Sequence, residues 1–595
     1  MALADVRHTL AQYLSMPGTG LADVAADGAL LVTSNETGID QLYEIPAEGG
    51  APVPVTSHAE RVSGLYVPGT RSAVVQTDAG GDERHQLYLV DLDTREMTPL
   101  VVEPSLIHNL GAVSRDGRLV AYTCNRRNGV DFDVYVRDLR SGDERCVYDQ
   151  GGMCMAFGFS FNGKRLAFSR PGDAPMDSDV LVADLDSGSV AMVAPHAEPA
   201  AAGGAVWSPD GSLYFTTNAD RDWAGVARWM PDGAWSYVLE READLSCQVS
   251  PDGRHLLVVE NREAGHVLRL HERESLAEEA AIALPEAGLA LGPRFAHDGG
   301  RLWFGLVTAA EPPDVWCYDI AAGELTRVTH SAREVPPETM VRPTNHWVSS
   351  FDGERLQVLL HRPDGAAAGL PAVVLVHGGP EGQSTVAFNP MIQYLVARGY
   401  AVAVPNVRGS TGYGKRFYGL DDVRKRLDSV RDLASVHAWL GDVGVDTRRV
   451  GVWGGSYGGY MVLAALCFQP DLWAAGVDIV GISNFVTFLE NTGAYRRRHR
   501  EREYGSLAED RDFLREISPL THADRISAPL FIIHGANDPR VPLSETRQIE
   551  ASLRGRGFDC PVLVYGDEGH GLAKLKNRLD AYPQAVDFLD RTLSR

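Results

Sequence analysis

Along the first half of the chain, short apolar runs follow polar turns at a regular interval. The turns are Asp27-Gly28, Pro68-Gly69, Asp116-Gly117, Asn162-Gly163, Asp210-Gly211, Asp252-Gly253 and Asp298-Gly299. Their glycines lie 41 to 48 residues apart. Each turn is followed by a strand-like run such as Leu119-Val120-Ala121-Tyr122 or Leu302-Trp303-Phe304. A second run often follows and ends in aspartate, as at Asp91, Asp138, Asp184 and Asp319. One small sheet per repeat cannot bury its own faces, and packing such sheets radially solves that problem. The spacing predicts a β-propeller of about seven blades over residues 21–335, with six or eight left open by the degenerate Pro68-Gly69 turn. A β-sandwich, or a stack of unrelated hairpins, fits the even spacing less well.

Around Pro336-Pro337 the rhythm changes, and residues 336–343 read as a linker. From 345 to 595, solid apolar runs alternate with amphipathic stretches. The runs include Ala372–Val376, Tyr400–Val404, Val450–Trp453, Gly476–Val480, Leu530–Ile533 and Val562–Tyr565. Strands apolar on both faces predict a parallel sheet covered by helices, an α/β domain. Helices are predicted over Asp421–Leu440, Gly458–Phe468, Ser544–Arg554 and Ala581–Leu593. Leu3, Val6, Leu10 and Leu14 have helical spacing. Residues 1–20 are therefore read as a helix that either packs back on the α/β domain or stays a free arm.

Composition narrows the function. The formal net charge of −23 repels phosphate backbones and anionic lipid heads, so neither nucleic acid nor a membrane is an expected partner. Seven scattered cysteines contain no CxxC pair, which argues against a zinc ribbon and suits free thiols in a reducing, cytoplasmic compartment. There is no apolar run long enough for a secretory signal or a membrane span. No metal-ligand cluster or cofactor fingerprint stands out, and neither is expected.

The chemistry concentrates at Gly454-Gly455-Ser456-Tyr457-Gly458-Gly459-Tyr460. It contains G-x-S-x-G between a predicted strand and a predicted helix. The pattern alone is weak in a glycine-rich chain. The strand–turn–helix context is what makes it a nucleophile elbow. A serine needs a base, and the base an orienting acid, in the chain order Ser, Asp, His for this fold. Asp538 follows the strand 530–533 and His570 follows the strand 562–565, each at a C-terminal strand end. The loop His377-Gly378-Gly379-Pro380 is similar to loops that offer one backbone N–H to an oxyanion, and Tyr457 would offer the other.

At these residues, together with Asn406–Gly414, Asn537–Pro542 and Glu568-Gly569-His570, the chain resembles the prolyl oligopeptidase family of serine peptidases over essentially its whole length. The His-Gly-Gly-Pro loop is closest to the acylaminoacyl peptidase branch. The resemblance implies a propeller capping an α/β-hydrolase domain, with Ser456, Asp538 and His570 as the triad. It implies Gly379 and Tyr457 as oxyanion donors and Arg540 as a ligand of a substrate carbonyl. Short peptides, or small aminoacyl amides, would be the substrates, because the cavity between domains excludes folded proteins. Phe485 and Phe488 are candidates to wall the pocket for the residue before the cleaved bond, and Glu490 to lie near the site. No glutamate pair for a free N-terminus is legible. The basic run Arg496–Arg500 reads as pairing with acidic neighbours. A serine exopeptidase acting near the N-terminus is the leading expectation. An esterase or aminoacyl-nucleoside hydrolase, an oligo-endopeptidase and a propeller scaffold with a dead hydrolase domain compete with it. Oligomeric state, including a homo-oligomer, stays open.

Overall fold

The computed structural model describes residues 6–593. Leu3, part of the predicted N-terminal helix, lies outside the described residues. Seven four-stranded antiparallel sheets, over 19–54, 63–101, 108–148, 155–192, 202–239, 244–282 and 288–327, form the propeller. Each repeat turn joins the first and second strands of a blade. Asp116 shows why the sequence repeats there: its Oδ1 accepts the Arg118 N–H at 3.1 Å while Gly117 takes φ +66°. Pro68-Gly69 makes the same turn without the carboxylate. Thr70 Oγ1 donates to the Val67 carbonyl at 2.8 Å, and Gly69 supplies φ +75°. The blade count is therefore seven. The terminal aspartates close the next turn: Asp138 Oδ1 accepts the Arg140 and Ser141 N–H groups at 2.8 and 3.1 Å.

Among the described residues no strand is exchanged between blades. The ring closes by packing, with Val24, Val32 and Tyr43 of the first blade against Trp303, Val315 and Cys317 of the seventh. Full burial of Val32 and Val315 there contributes about 1.5–3 kcal/mol each. Where the chain enters and leaves the ring, Thr19 Oγ1 bonds Ser331 Oγ at 2.8 Å and Arg333 Nη1 donates to the Pro17 carbonyl at 2.8 Å. The inner strands line an axial cavity of about 940 Å³.

The second domain is an eight-stranded sheet in the order Thr344–Ser349, Arg355–His361, Ala401–Asn406, Leu370–Val376, Val445–Gly455, Ala475–Ile479, Leu530–Gly535, Val562–Tyr565. From Ala401–Asn406 onward neighbours pair in parallel, and the two strands at the opposite edge are antiparallel. This is the α/β-hydrolase arrangement. One face packs on Tyr457–Phe468 and Arg426–Asp442, the other on Pro390–Ala397 and Leu575–Leu593. The helix Leu10–Leu14 joins that second core. Leu10 and Leu14 pack with Met391, Leu395 and Ala585, and Tyr13 meets Tyr394 edge-on at 5.7 Å.

The helix read over residues 1–20 is shorter: among the described residues it runs only from Leu10 to Leu14, Val6 lies outside it and a strand begins at Thr19. Two other helices start well away from the sequence reading. The helix predicted from Asp421 starts at Arg426, because the Asp421 carboxylate is drawn into a buried ion pair with Arg426. The last helix starts at Leu575, six residues before Ala581, and carries Pro583 in its interior. The approach to it is fixed by Glu568, which accepts the Ala573 and Lys574 N–H groups at 3.0 and 2.9 Å and the Asn577 side-chain amide at 2.8 Å. All seven cysteines are free, and six are buried. Among the described residues no helix is long and apolar enough to cross a membrane.

Candidate active site

Ser456 sits between the strand Val445–Gly455 and the helix Tyr457–Phe468 with φ 60° and ψ −120°. A non-glycine residue held there is strained, and the strain belongs to the turn that raises the side chain off the sheet. Sterics require the flanking glycines. A Cβ on Gly458 would fall against the Val376 carbonyl, and one on Gly454 against the Gly458 backbone. The Ser456 N–H is anchored to the Ile479 carbonyl at 2.8 Å.

Asp538 and His570 meet at neighbouring strand ends. His570 Nδ1 lies 2.7 Å from Asp538 Oδ2. The other carboxylate oxygen accepts the Arg540 and Val541 N–H groups at 2.8 and 3.0 Å. That division aims one oxygen at the imidazole and keeps a proton on Nδ1, leaving Nε2 as the basic nitrogen. Among the described residues the Ser456 hydroxyl makes no hydrogen bond; such contacts are often loose until substrate binds.

Gly379 takes φ +135°, a conformation that suits glycine. The preceding carbonyl, Gly378 O, accepts from His377 Nδ1 at 2.8 Å. Burial pushes the His377 pKa down, so the ring is neutral. Tyr457 N–H opens its helix and has no intrahelical acceptor. The Tyr457 hydroxyl is buried and bonds Ser429 Oγ at 2.8 Å and Arg426 Nη1 at 3.0 Å. Burial, outweighing Arg426, raises that phenol far above its ordinary range.

Phe485 and Phe488 are buried in an aromatic cluster. Phe485 lies 4.7 Å from both Tyr460 and Tyr504, and Tyr504 stacks on Tyr457 at 6.2 Å. Glu490 is on the same helix but half exposed, and it pairs with Arg511 at 2.8 Å. It takes no part in the cluster.

Arg540 carries a contact that the sequence did not disclose. Its Nε donates to Glu83 Oε1 of the second blade at 2.6 Å. Asn537 Nδ2 donates to the Gly80 carbonyl at 2.9 Å, and Gly81 packs so tightly on Gly569 that neither accommodates a Cβ. The loop 78–85 thus lies on the segments holding Asp538 and His570. Between them is a cavity of about 370 Å³ lined by Glu60, Asp78, Glu83, Arg540 and His570. Glu83 was missed because its partner is 457 positions away. Its positive φ of 57° leaves no mark in the sequence.

Behind the elbow, Arg426 is fully buried between Asp421 and Glu503 and lies over the Tyr457 and Tyr504 rings. Asp421, Asp422 and Glu503 bring carboxylate oxygens within 4.8 Å of one another. The Arg426 guanidinium already supplies the cation for Asp421 and Glu503.

Residues 386–595 match the prolyl oligopeptidase family. Dipeptidyl aminopeptidase BIII of Pseudoxanthomonas mexicana is 31% identical over 533 residues, spanning 84% of this chain and 75% of that protein. An acylamino-acid-releasing enzyme of Arabidopsis thaliana is 29% identical over 225 residues, 36% of this chain and 29% of that one. A puromycin-hydrolysing peptidase of Mycobacterium tuberculosis shares the fold, with a TM-score of 0.86 at 20% identity over 100% of this chain and 97% of the other. The chain is a serine peptidase built from a propeller and an α/β-hydrolase domain. It belongs to the prolyl oligopeptidase family.

Proposed function

We propose that the protein removes residues from the free N-terminus of short peptides, with Ser456 as nucleophile, His570 as base and Asp538 as orienting acid. The 2.7 Å Asp538–His570 hydrogen bond and the strained turn that raises Ser456 off the same sheet together support this reading. His570 Nε2 takes the Ser456 proton as Oγ attacks the peptide carbonyl. The Gly379 and Tyr457 N–H groups receive the oxyanion. The imidazolium returns the proton to the leaving amine, and water then releases the acyl group by the same route. Phe485 and Phe488, 0 and 2% exposed, would support the site from within the core rather than line it.

A free ammonium requires carboxylates, whereas an acylated terminus does not. The carboxylates of Glu60, Asp78 and Glu83 in the cavity beside Arg540, which also holds Arg61, favour the free terminus, with Glu83 as its anchor and Arg540 on a substrate carbonyl. The similarity to a dipeptidyl aminopeptidase over 84% of this chain supports the same choice. The test compares chromogenic aminoacyl and dipeptidyl anilides, their N-acetyl counterparts and p-nitrophenyl esters. Turnover of free-amino anilides, lost in Ser456→Ala, is expected. Ester turnover without anilide turnover would replace the reading by that of a small-ester or aminoacyl-amide hydrolase.

A further inference from the structure

Two consecutive glycines carry the proposed oxyanion donor, and glycine is the residue with most backbone freedom to lose. A donor useful in catalysis has to be aimed before the reaction begins. The question is what aims the Gly379 N–H.

The peptide on its N-terminal side is held by the His377 contact to Gly378 O. The peptide on its C-terminal side is held from far along the chain. Arg500 Nη1 donates to the Gly379 carbonyl at 3.0 Å, and the Tyr504 hydroxyl reaches the same oxygen at 3.4 Å. The guanidinium is itself fixed. It donates to both Glu381 oxygens, at 2.9 and 3.2 Å, and its side chain is 8% exposed. Burial alone would raise the Glu381 carboxyl, but Arg500 and His499 hold it down at about 2. The pair therefore stays ionised and carries no net charge. Its influence on the oxyanion is geometric.

We propose that Arg500, the last arginine of the basic run, is a positioning residue for the Gly379 N–H. The proposal rests on the assignment of Ser456 and Gly379 above. With Arg500 and His377 in place, both peptide planes flanking the Gly379 Cα are tied. Without Arg500 the second plane keeps only the longer Tyr504 contact, the Gly379 Cα loses its far-side tether, and the first plane, which carries the N–H, is left to the His377 contact.

The test measures steady-state kinetics and two ligands on the full chain: a peptide aldehyde, whose hemiacetal oxygen enters the hole, and the matching non-covalent peptide amide. In Arg500→Met, kcat is expected to fall about tenfold to a hundredfold, less than the loss of an oxyanion donor itself. Aldehyde affinity should fall by the same factor, while KM and amide binding stay within about twofold. Arg500→Lys, which can keep one of the two contacts, should recover part of the loss. Glu381→Gln separates geometry from charge. A loosened clamp weakens the aldehyde, whereas a direct charge effect from an unpaired Arg500 would tighten it. The proposal is overturned if Arg500→Met keeps wild-type kcat and aldehyde affinity, if amide binding falls equally, or if Glu381→Gln tightens the aldehyde. Should Arg500→Met fail to fold, Arg500→Lys and Glu381→Gln decide alone. Unchanged aldehyde binding in Ser456→Ala would instead sink the underlying nucleophile assignment.

Discussion

Glu83 in the propeller and Arg540 in the hydrolase domain form one ion pair, 2.6 Å from oxygen to nitrogen, across the domain boundary. It joins the second blade to the loop that carries Asp538. Glu83→Gln keeps a hydrogen-bond acceptor for Arg540 and removes the charge. We expect kcat/KM for free-amino anilides to fall about tenfold, or about 1.4 kcal/mol. N-acetyl substrates should change little. Equal losses on both would mean that Glu83 acts only through Arg540.

Asp538→Asn tests the orientation of the base. The asparagine oxygen can still accept the Arg540 and Val541 N–H groups, so the loop should survive. Its NH2 would then face His570 Nδ1 and favour the wrong tautomer. A fall in kcat of about ten-thousandfold with little change in KM is expected. A loss below tenfold would remove Asp538 from the relay.

Arg426→Met should destabilise the hydrolase domain without touching the nucleophile. It leaves Asp421 and Glu503 buried beside each other without their cation. Breaking a buried pair from one side costs about 3–5 kcal/mol. Urea unfolding would show it as a shifted midpoint at unchanged slope, and a shift below about 1 kcal/mol would contradict the burial of that charge.

His361 sets a pH dependence of stability. Burial pushes its pKa down from 6.5 to about 4. The unfolded chain therefore binds a proton that the folded chain refuses. Its contribution is complete above pH 6.5 and is lost as the pH falls toward 4, amounting to about 3 kcal/mol. Asp421 and Glu503, raised by burial, titrate in the opposite sense. The comparison is thus between wild type and His361→Gln, whose stability should fall less steeply between those limits. Parallel curves would refute the assignment.

The repeat turns announced the propeller because Asx acceptors and positive-φ glycines are local requirements, written within a few residues. The parallel strands were equally plain, since burial on both faces leaves no polar alternation. Asp538 and His570 were legible from their places at strand ends. Three features were not. Arg500 reads as one charge in a run, and its partners Gly379 and Glu381 lie 121 and 119 positions earlier. Glu83 reads as a blade-loop acid. Glu490 was placed near the site because its segment follows the strand ending at Val480, but its carboxylate turns to Arg511. Side-chain pairing across domains depends on topology, and no spacing rule encodes it.

The absence of strand exchange has a mechanical side. Six of the seven joints in the ring are spanned by the polypeptide, whereas that between the first and last blades is bridged by packed side chains and a few hydrogen bonds, among them the Thr19 N–H to the Pro313 carbonyl at 2.7 Å. Parting it ruptures no ladder and no covalent link. Both strands of the tether to the hydrolase half leave from this same gap, so a pull that opens the clam is delivered straight to the one unstitched edge.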